Sequence, residues 1–180
     1  MKDTKVKSRK ELIPIIEHLH REGKKIALTN GCFDILHVGH IHSFREAKKQ
    51  SDILIVALNS DESVRALKGK ERPFVPEDQR AEVLAAMSDV DYVVIFNELD
   101  PLSIITDLEP DVLVKGEDWA EGTIIGQDAV EARGGKVIRV SLKKGVSTTN
   151  LIKKIKTSVR TSPQNASCLS YCLPPHYNKR

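Results

Sequence analysis

The sequence predicts a doubly wound α/β domain, with five parallel strands in one sheet and helices on both faces, on three observations. Short β-branched apolar runs alternate along the chain with segments whose apolar residues recur at helical spacing. Residues 53–58 form a continuous apolar run of six, the pattern of a strand covered on both sides. Turn-forming clusters, Asn30-Gly31, Asn59-Ser60-Asp61 and Gly134-Gly135, punctuate the alternation.

Taken in order, Leu12, Ile15, Ile16 and Leu19 mark a leading helix with Gly23 as its stop. Residues 26–29 are a strand, residues 39–50 a helix, and residues 53–58 the second strand, after which Asn59-Ser60-Asp61 caps another helix. Residues 68–76, KGKERPFVP, contain two prolines and break the periodicity, so they form a loop. Pro76 suits the first turn of a helix that reaches about Met87. Residues 92–96 read as strand, 101–108 as helix, 112–114 as strand, 124–133 as helix and 137–140 as the fifth strand. A last helix runs from Ser147 to about Lys156, capped by Ser147 or Thr148. Beyond it the pattern dissolves into Ser, Pro and Asn. The expected organisation is an N-terminal helix within residues 1–23, a domain over 24–156 and an irregular tail over 157–180.

At 180 residues the chain accommodates about one domain, and 40% hydrophobic with 29% charged residues is a globular composition. The 28 basic and 25 acidic residues leave +3, too little for a nucleic-acid groove but compatible with small anionic ligands. The longest apolar run is far short of the ~20 residues of a bilayer helix, and no apolar stretch follows the charged N-terminus as in a secretory signal. Cys32, Cys168 and Cys172 form no disulfide framework, and a cytoplasmic location is expected.

In a doubly wound sheet, ligands bind outside the carboxyl ends of the strands. The segment after the first strand reads Gly31-Cys32-Phe33-Asp34-Ile35-Leu36-His37-Val38-Gly39-His40 and opens into a helix. A helix N-terminus presents unpaired N–H groups and partial positive charge, Gly39 allows close approach, and imidazoles three residues apart can face one phosphoryl group. A metal site at His37, His40 and His42 is the rival reading, but no cysteine or carboxylate stands at zinc spacing to complete it. Cys32 reads as a packed thiol. Ser147, Thr148 and Thr149 open the last helix and offer a second anion site. Neither a GxGxxG after the first strand nor a P-loop is present, which sets aside dehydrogenase and kinase chemistry.

The segment GCFDILHVGH resembles the HxGH signature of the nucleotidyltransferase superfamily in its cytidylyltransferase-like branch. The likeness continues through NSD at 59–61, LKGKERPFVPEDQR at 67–80, LVKGEDW at 113–119 and GVSTTNLIKKI at 145–155, covering about residues 24–156. Within the branch it is most similar to the heptose 1-phosphate adenylyltransferases, here without the sugar-kinase domain to which they are often fused. The resemblance implies a Rossmann-like fold and transfer of AMP from ATP to D-glycero-β-D-manno-heptose 1-phosphate, with release of pyrophosphate.

The resemblance also implies roles. His37, His40 and Lys68 act on the phosphoryl group being transferred. Asn30, Gly31, Cys32, Phe33, Gly39, Arg80, Lys115, Gly116, Ser147, Thr148 and Thr149 line the nucleotide site, and Asp34, Asn59, Asp118 and Trp119 stand on the acceptor side. Mg2+ accompanies ATP without a dedicated protein cage. The partners implied are ATP, a sugar 1-phosphate and a second copy of the chain, with neither nucleic acid nor membrane. The basic residue that precedes Gly-x-Ser-Thr-Thr in related cytidylyltransferases is replaced by Leu142-Lys143-Lys144-Gly145. Glycerol 3-phosphate cytidylyltransferase and a non-catalytic nucleotide-binding module are the alternatives.

Overall fold

A computed structural model describes residues 5–117, 124–141 and 147–161, with side chains to residue 158. They fall into two compact units that divide between Thr148 and Thr149. The first carries α1 (Arg9–Arg21), β1 (Ile26–Gly31), α2 (Val38–Lys48), β2 (Ile53–Asn59), α3 (Asp61–Lys68), α4 (Glu77–Ala85), β3 (Tyr92–Phe96), α5 (Leu102–Leu108), β4 (Val112–Gly116), α6 (Gln127–Glu131) and β5 (Lys136–Val140). All strand pairs are parallel, in the order β3-β2-β1-β4-β5. This is the doubly wound, Rossmann-like sheet expected.

Side chains alternate across each strand, so the two faces bury separate cores. Leu54, Val56 and Leu58 of β2, with Val93, Val112 and Val114, pack against Phe44 and Ala47 of α2 and Ala81, Leu84 and Ala85 of α4. Ile55 and Ala57, with Leu28, Val94 and Leu113, pack against Leu12 and Ile16 of α1, Ile104, Ile105 and Leu108 of α5 and Val130 of α6. A strand buried on both sides has no polar positions to spare, which is why residues 53–58 read as an unbroken apolar run.

Helix ends follow from local chemistry. Ser8 and Glu11 form a reciprocal capping box at the start of α1: the Ser8 N–H donates to Glu11 Oε2 at 2.8 Å and the Glu11 N–H to Ser8 Oγ at 3.4 Å. At its end, Gly23 takes φ +72 and the Gly23 and Lys24 N–H groups close on the carbonyls of His20 and Leu19 at 2.9 and 3.0 Å. Ser60 caps α3 by accepting from the Ser63 N–H at 3.2 Å.

Strands β1 and β4 each run two residues past their expected ends, α3 takes in Lys68 from the expected loop, and two helices differ more. The helix expected over 124–133 is confined to Gln127–Glu131, because Gly126 enters in the left-handed region at φ +88 and Gly134 leaves in it at φ +82. The last helix, α7 (Thr148–Thr161), whose residues from Thr149 on form the described part of the second unit, runs past Lys156, and the hydroxyls of Thr157 and Ser158 bond back to the carbonyls of Lys153 and Lys154 at 2.9 Å. Sequence reading also missed an addition at the sheet edge. Val6 bridges Val93 of β3 in parallel, with the Lys7 N–H donating to Val93 and the Val93 N–H to Lys5.

Strand order reverses between β1 and β4. From β1 the chain builds outward through β2 to β3, and from β4 to β5 on the other side, so a crevice opens between the carboxyl ends of the two central strands. The turn entering β5 holds that side in place. A Cβ on Gly135 would lie 2.7 Å from Val130 Cγ1 and 2.8 Å from the Asp111 carbonyl oxygen. Gly135→Ala is therefore expected to lower stability by about 1–3 kcal/mol, read as a lower urea midpoint at unchanged slope.

Candidate active site

The crevice is lined by the last residues of β1 and β4 and the start of α2. Gly31 ends β1, and a Cβ there would lie 3.2 Å from the Phe33 ring. Phe33 adopts φ +44 and turns its ring inward, edge to face with His40 at 5.3 Å and tilted against Phe44 at 5.5 Å. A left-handed non-glycine residue is held only where packing compensates its strain, and this ring wedges the first turn of α2. Phe33 therefore supports the site from below.

His37 is the N-cap of α2, and the His40 N–H donates to its carbonyl at 2.9 Å. The two imidazoles stack, with ring centroids 3.8 Å apart and planes 12° from parallel. The His37 N–H donates to His40 Nδ1 at 3.3 Å, which leaves the His40 proton on Nε2. Burial and the neighbouring His37 lower the His40 pKa to about 4, and burial lowers that of His37. At neutral pH the pair is uncharged, so the rings stack without repulsion and His40 presents an N–H donor. His42 instead approaches Glu46 one turn further on, at 4.0 Å.

Across the crevice, Lys115 at the end of β4 is 7% exposed and its Nζ donates to Asn30 Oδ1 at the end of β1. Burial lowers its pKa to about 8, which leaves a largely protonated amine deep in the site at neutral pH. Gly116 follows it as the last residue of β4. Thr148 Oγ1 donates to the Ile35 carbonyl at 3.2 Å, placing the Ser147-Thr148 pair beside the loop that carries the histidines. Thr149 begins the second unit. Asp118 and Trp119, and the lysines at 143 and 144, lie outside the described residues.

Three polar residues expected to meet ligands are engaged by the protein. Arg80, expected at the phosphates, is 1% exposed. Its Nε donates to the Val75 carbonyl at 2.8 Å, Nη1 to the carbonyls of Cys32 and Asn59 at 2.6 and 2.9 Å, and Nη2 to Asp61 Oδ1 at 2.6 Å. The guanidinium is spent on structure. Asn59, expected on the acceptor side, is buried with Nδ2 on Ser63 Oγ at 2.9 Å. Asp34 accepts from Arg72 and from the N–H groups of Phe74 and Val75, at 2.7 and 2.9 Å for the latter two.

Lys68 is exposed at the end of α3, and its charge, with those of Arg80 and Arg72, reaches the Cys32 thiol. Burial outweighs them and raises that thiol's pKa, so Cys32 is a packed group and not a nucleophile. Among the described residues no three His, Cys, Asp or Glu side chains come together as a metal site, and no helix is long and apolar enough to cross a membrane. Sequence reading missed Asp61 as the partner of Arg80. The residues are 19 apart, and only the meeting of α3 with α4 joins them.

A helix N-terminus flanked by two imidazoles at the switch point of a doubly wound sheet defines a site built for phosphates, the arrangement of a nucleotidyltransferase. Residues 28–162 match the family described as cytidylyltransferase-like, and the chain belongs to that family. It is 48% identical over 153 residues to the bifunctional protein HldE of Syntrophotalea carbinolica and 51% identical over 153 residues to that of Geobacter metallireducens, covering 85% of this chain in each case. The chain spans 31% of the length of these relatives. Among solved structures, a lipopolysaccharide core biosynthesis protein from Thermoplasma volcanium superposes with a TM-score of 0.56 at 30% identity, over 69% of this chain and 100% of that one. A pantoate-beta-alanine ligase from Francisella tularensis shares the fold alone, with a TM-score of 0.59 at 18% identity over 87% of this chain and 79% of that one.

Two outcomes follow for stability. Arg80→Met leaves Asp61 and three carbonyls without their donor, and is expected to cost about 3–5 kcal/mol by chemical denaturation, whereas Lys68→Ala should change stability by less than about 0.5 kcal/mol. The lowered His40 pKa means that the unfolded chain takes up this proton first as pH falls. Its contribution is present above pH about 6.5 and is lost as pH falls to about 4. The loss approaches ~3 kcal/mol, and His40→Gln should flatten stability over that interval.

Proposed function

We propose that this nucleotidyltransferase transfers AMP from ATP to D-glycero-β-D-manno-heptose 1-phosphate, giving ADP-heptose and pyrophosphate. The observation that carries the reading is the stacked His37–His40 pair at the N-terminus of α2, in the segment that follows β1, whose Asn30 holds the Lys115 amine. Support for the substrate comes from the resemblance of the five sequence segments, from HldE relatives near 50% identity, and from the likeness to a lipopolysaccharide core biosynthesis protein.

In this reading an oxygen of the sugar phosphate attacks the α-phosphorus of ATP in line, a new P–O bond forms, and the bond to the bridging oxygen of pyrophosphate breaks. No covalent enzyme intermediate is required. Such transfers need positioning and donors on the charged oxygens more than a nucleophile. His37 and His40 are neutral donors in the free chain, and the negative charge arriving with ATP favours their protonated forms, which donate to the phosphoryl oxygens. Lys68 supplies a cation from the end of α3, where the basic loop begins. Asn30, Gly31, Gly39, Lys115 and Gly116 border the nucleotide, Ser147 and Thr148 hold its outer phosphates, and Asp118 and Trp119 are the residues proposed to bind the acceptor.

Mg2+ enters with ATP. The carboxylates of Asp34 and Asp61 are paired with Arg72 and Arg80, so the donors offered to the ligand suit phosphate oxygens and leave the ion to be carried by the triphosphate. The catalytic domain in this proposal is residues 24–156, with the helix within 1–23 packed on it and 157–180 outside it. It works in the cytoplasm as a homodimer.

The test is pyrophosphate release in Mg2+ with ATP or CTP, each offered with the heptose 1-phosphate or glycerol 3-phosphate. Release with ATP and the heptose phosphate alone is the expected result, and release with CTP and glycerol phosphate alone would move the chain to that sister activity. Nucleotide binding without release in any combination would make it a binding module. His37→Ala and His40→Ala should each lower turnover by roughly 100-fold or more, and near-normal rates in both would remove the histidines from the mechanism.

A further inference from the structure

Lys68 closes α3 and Lys70 follows in the loop between α3 and α4, and both are exposed. A basic loop contributes to a phosphate site only if something holds it in register. Here it is held chiefly by one carboxylate. The Asp34 side chain is 1% exposed. Its Oδ2 pairs with Arg72 Nε, and its Oδ1 accepts from the N–H groups of Phe74 and Val75. The Arg72 guanidinium in turn lies over the Phe74 ring, 5.0 Å from its centroid. Below, Arg80 secures the Val75 carbonyl, and at the loop's start the Arg72 N–H closes a turn on the Gly69 carbonyl at 3.0 Å.

A carboxylate accepts about four hydrogen bonds at most. Three are taken by the loop, and burial closes the remainder to a sugar hydroxyl. Asp34 also stands three residues before His37, on the segment that presents the imidazole pair. One short stretch of chain thus carries both the donors at the helix start and the anchor of the basic loop.

We propose that Asp34 is a positioning residue that latches the basic loop through Arg72, Phe74 and Val75, so that it influences the transfer through Lys68 and does not touch the acceptor. The inference rests on the proposed action of Lys68 at the phosphates. Releasing the latch displaces the lysine, and a misplacement of about 1 Å can cost on the order of 100-fold in rate.

The test is a double-mutant cycle joined to amide exchange. Asp34→Asn retains an acceptor for the two N–H groups but loses the charge that faces Arg72. It should lower kcat, leave the acceptor KM within about threefold, and add little further loss in a Lys68→Ala background, because residues acting through one another are not additive. In the same variant the Phe74 and Val75 amides should exchange faster while those of β1 and β2 keep their protection. If Asp34→Asn fails to fold, Arg72→Ala opens the latch from the other side and is read in the same way. Losses that multiply, with a raised acceptor KM and unchanged loop exchange, would overturn the latch and return Asp34 to the acceptor. Normal turnover of Lys68→Ala with faster exchange in Asp34→Asn would remove Lys68 from the chemistry while the latch stood. Should no substrate pair turn over, unchanged exchange at Phe74 and Val75 would by itself overturn the latch.

Discussion

The guanidinium of Arg80 is the constraint on which the site depends. It is almost wholly removed from water, and a charge so placed is tolerated only when its donors are satisfied. Satisfying them takes the carbonyl that follows β1, the carbonyl that ends β2, the carboxylate that opens α3 and a carbonyl of the basic loop. Four chain segments that would otherwise end independently are drawn to one point. Because the partners are mostly backbone carbonyls, the geometry is set by main-chain positions and not by mobile side chains.

On that frame the crevice combines two kinds of group. The imidazoles are kept neutral by burial, and that of His40 also by His37, which lets two rings stack at a distance that two imidazolium ions would resist. A positive charge is added at the end of β4, in the Lys115 amine held against Asn30 between the central strands. Neutral donors and one buried cation form a site whose attraction for an anion grows when the anion arrives, since phosphate charge favours protonation of the same imidazoles. The electrostatic response is built from packing: Phe33 in its left-handed turn fixes the His40 ring, and Gly31 gives Phe33 room.

The asymmetry of the sheet explains why chemistry collects at one edge. Helices on both faces largely bury β1, β2, β3 and β4, and only the edge strand β5 keeps polar side chains, Lys136 and Arg139, in water. Only the strand ends remain, and the reversal of order between β1 and β4 separates their loops enough for a ligand. Along the opposite edge, side chains are used for closure: Asp91 receives Lys48 and the Leu54 N–H, and Asp111 receives the Ile26 N–H.

Much of this was legible in the sequence, because periodicity and turn chemistry are local. Alternating apolar runs specify strands and helices, a run apolar at every position specifies a strand buried twice, and a glycine or serine at an element's end specifies where it stops. The HxGH segment after the first strand is legible for the same reason, since loop, helix start and both histidines lie within ten residues. What a charged side chain does once the strands assemble was not. Arg80, Asp34 and Asn59 looked like ligand contacts, yet their partners stand 5 to 48, 38 to 41 and 4 residues away, and even the nearest is met only inside a buried helix cap. Whether a charge points at a ligand or at a carbonyl is decided by which groups have lost their water, and that is a property of the packed chain alone.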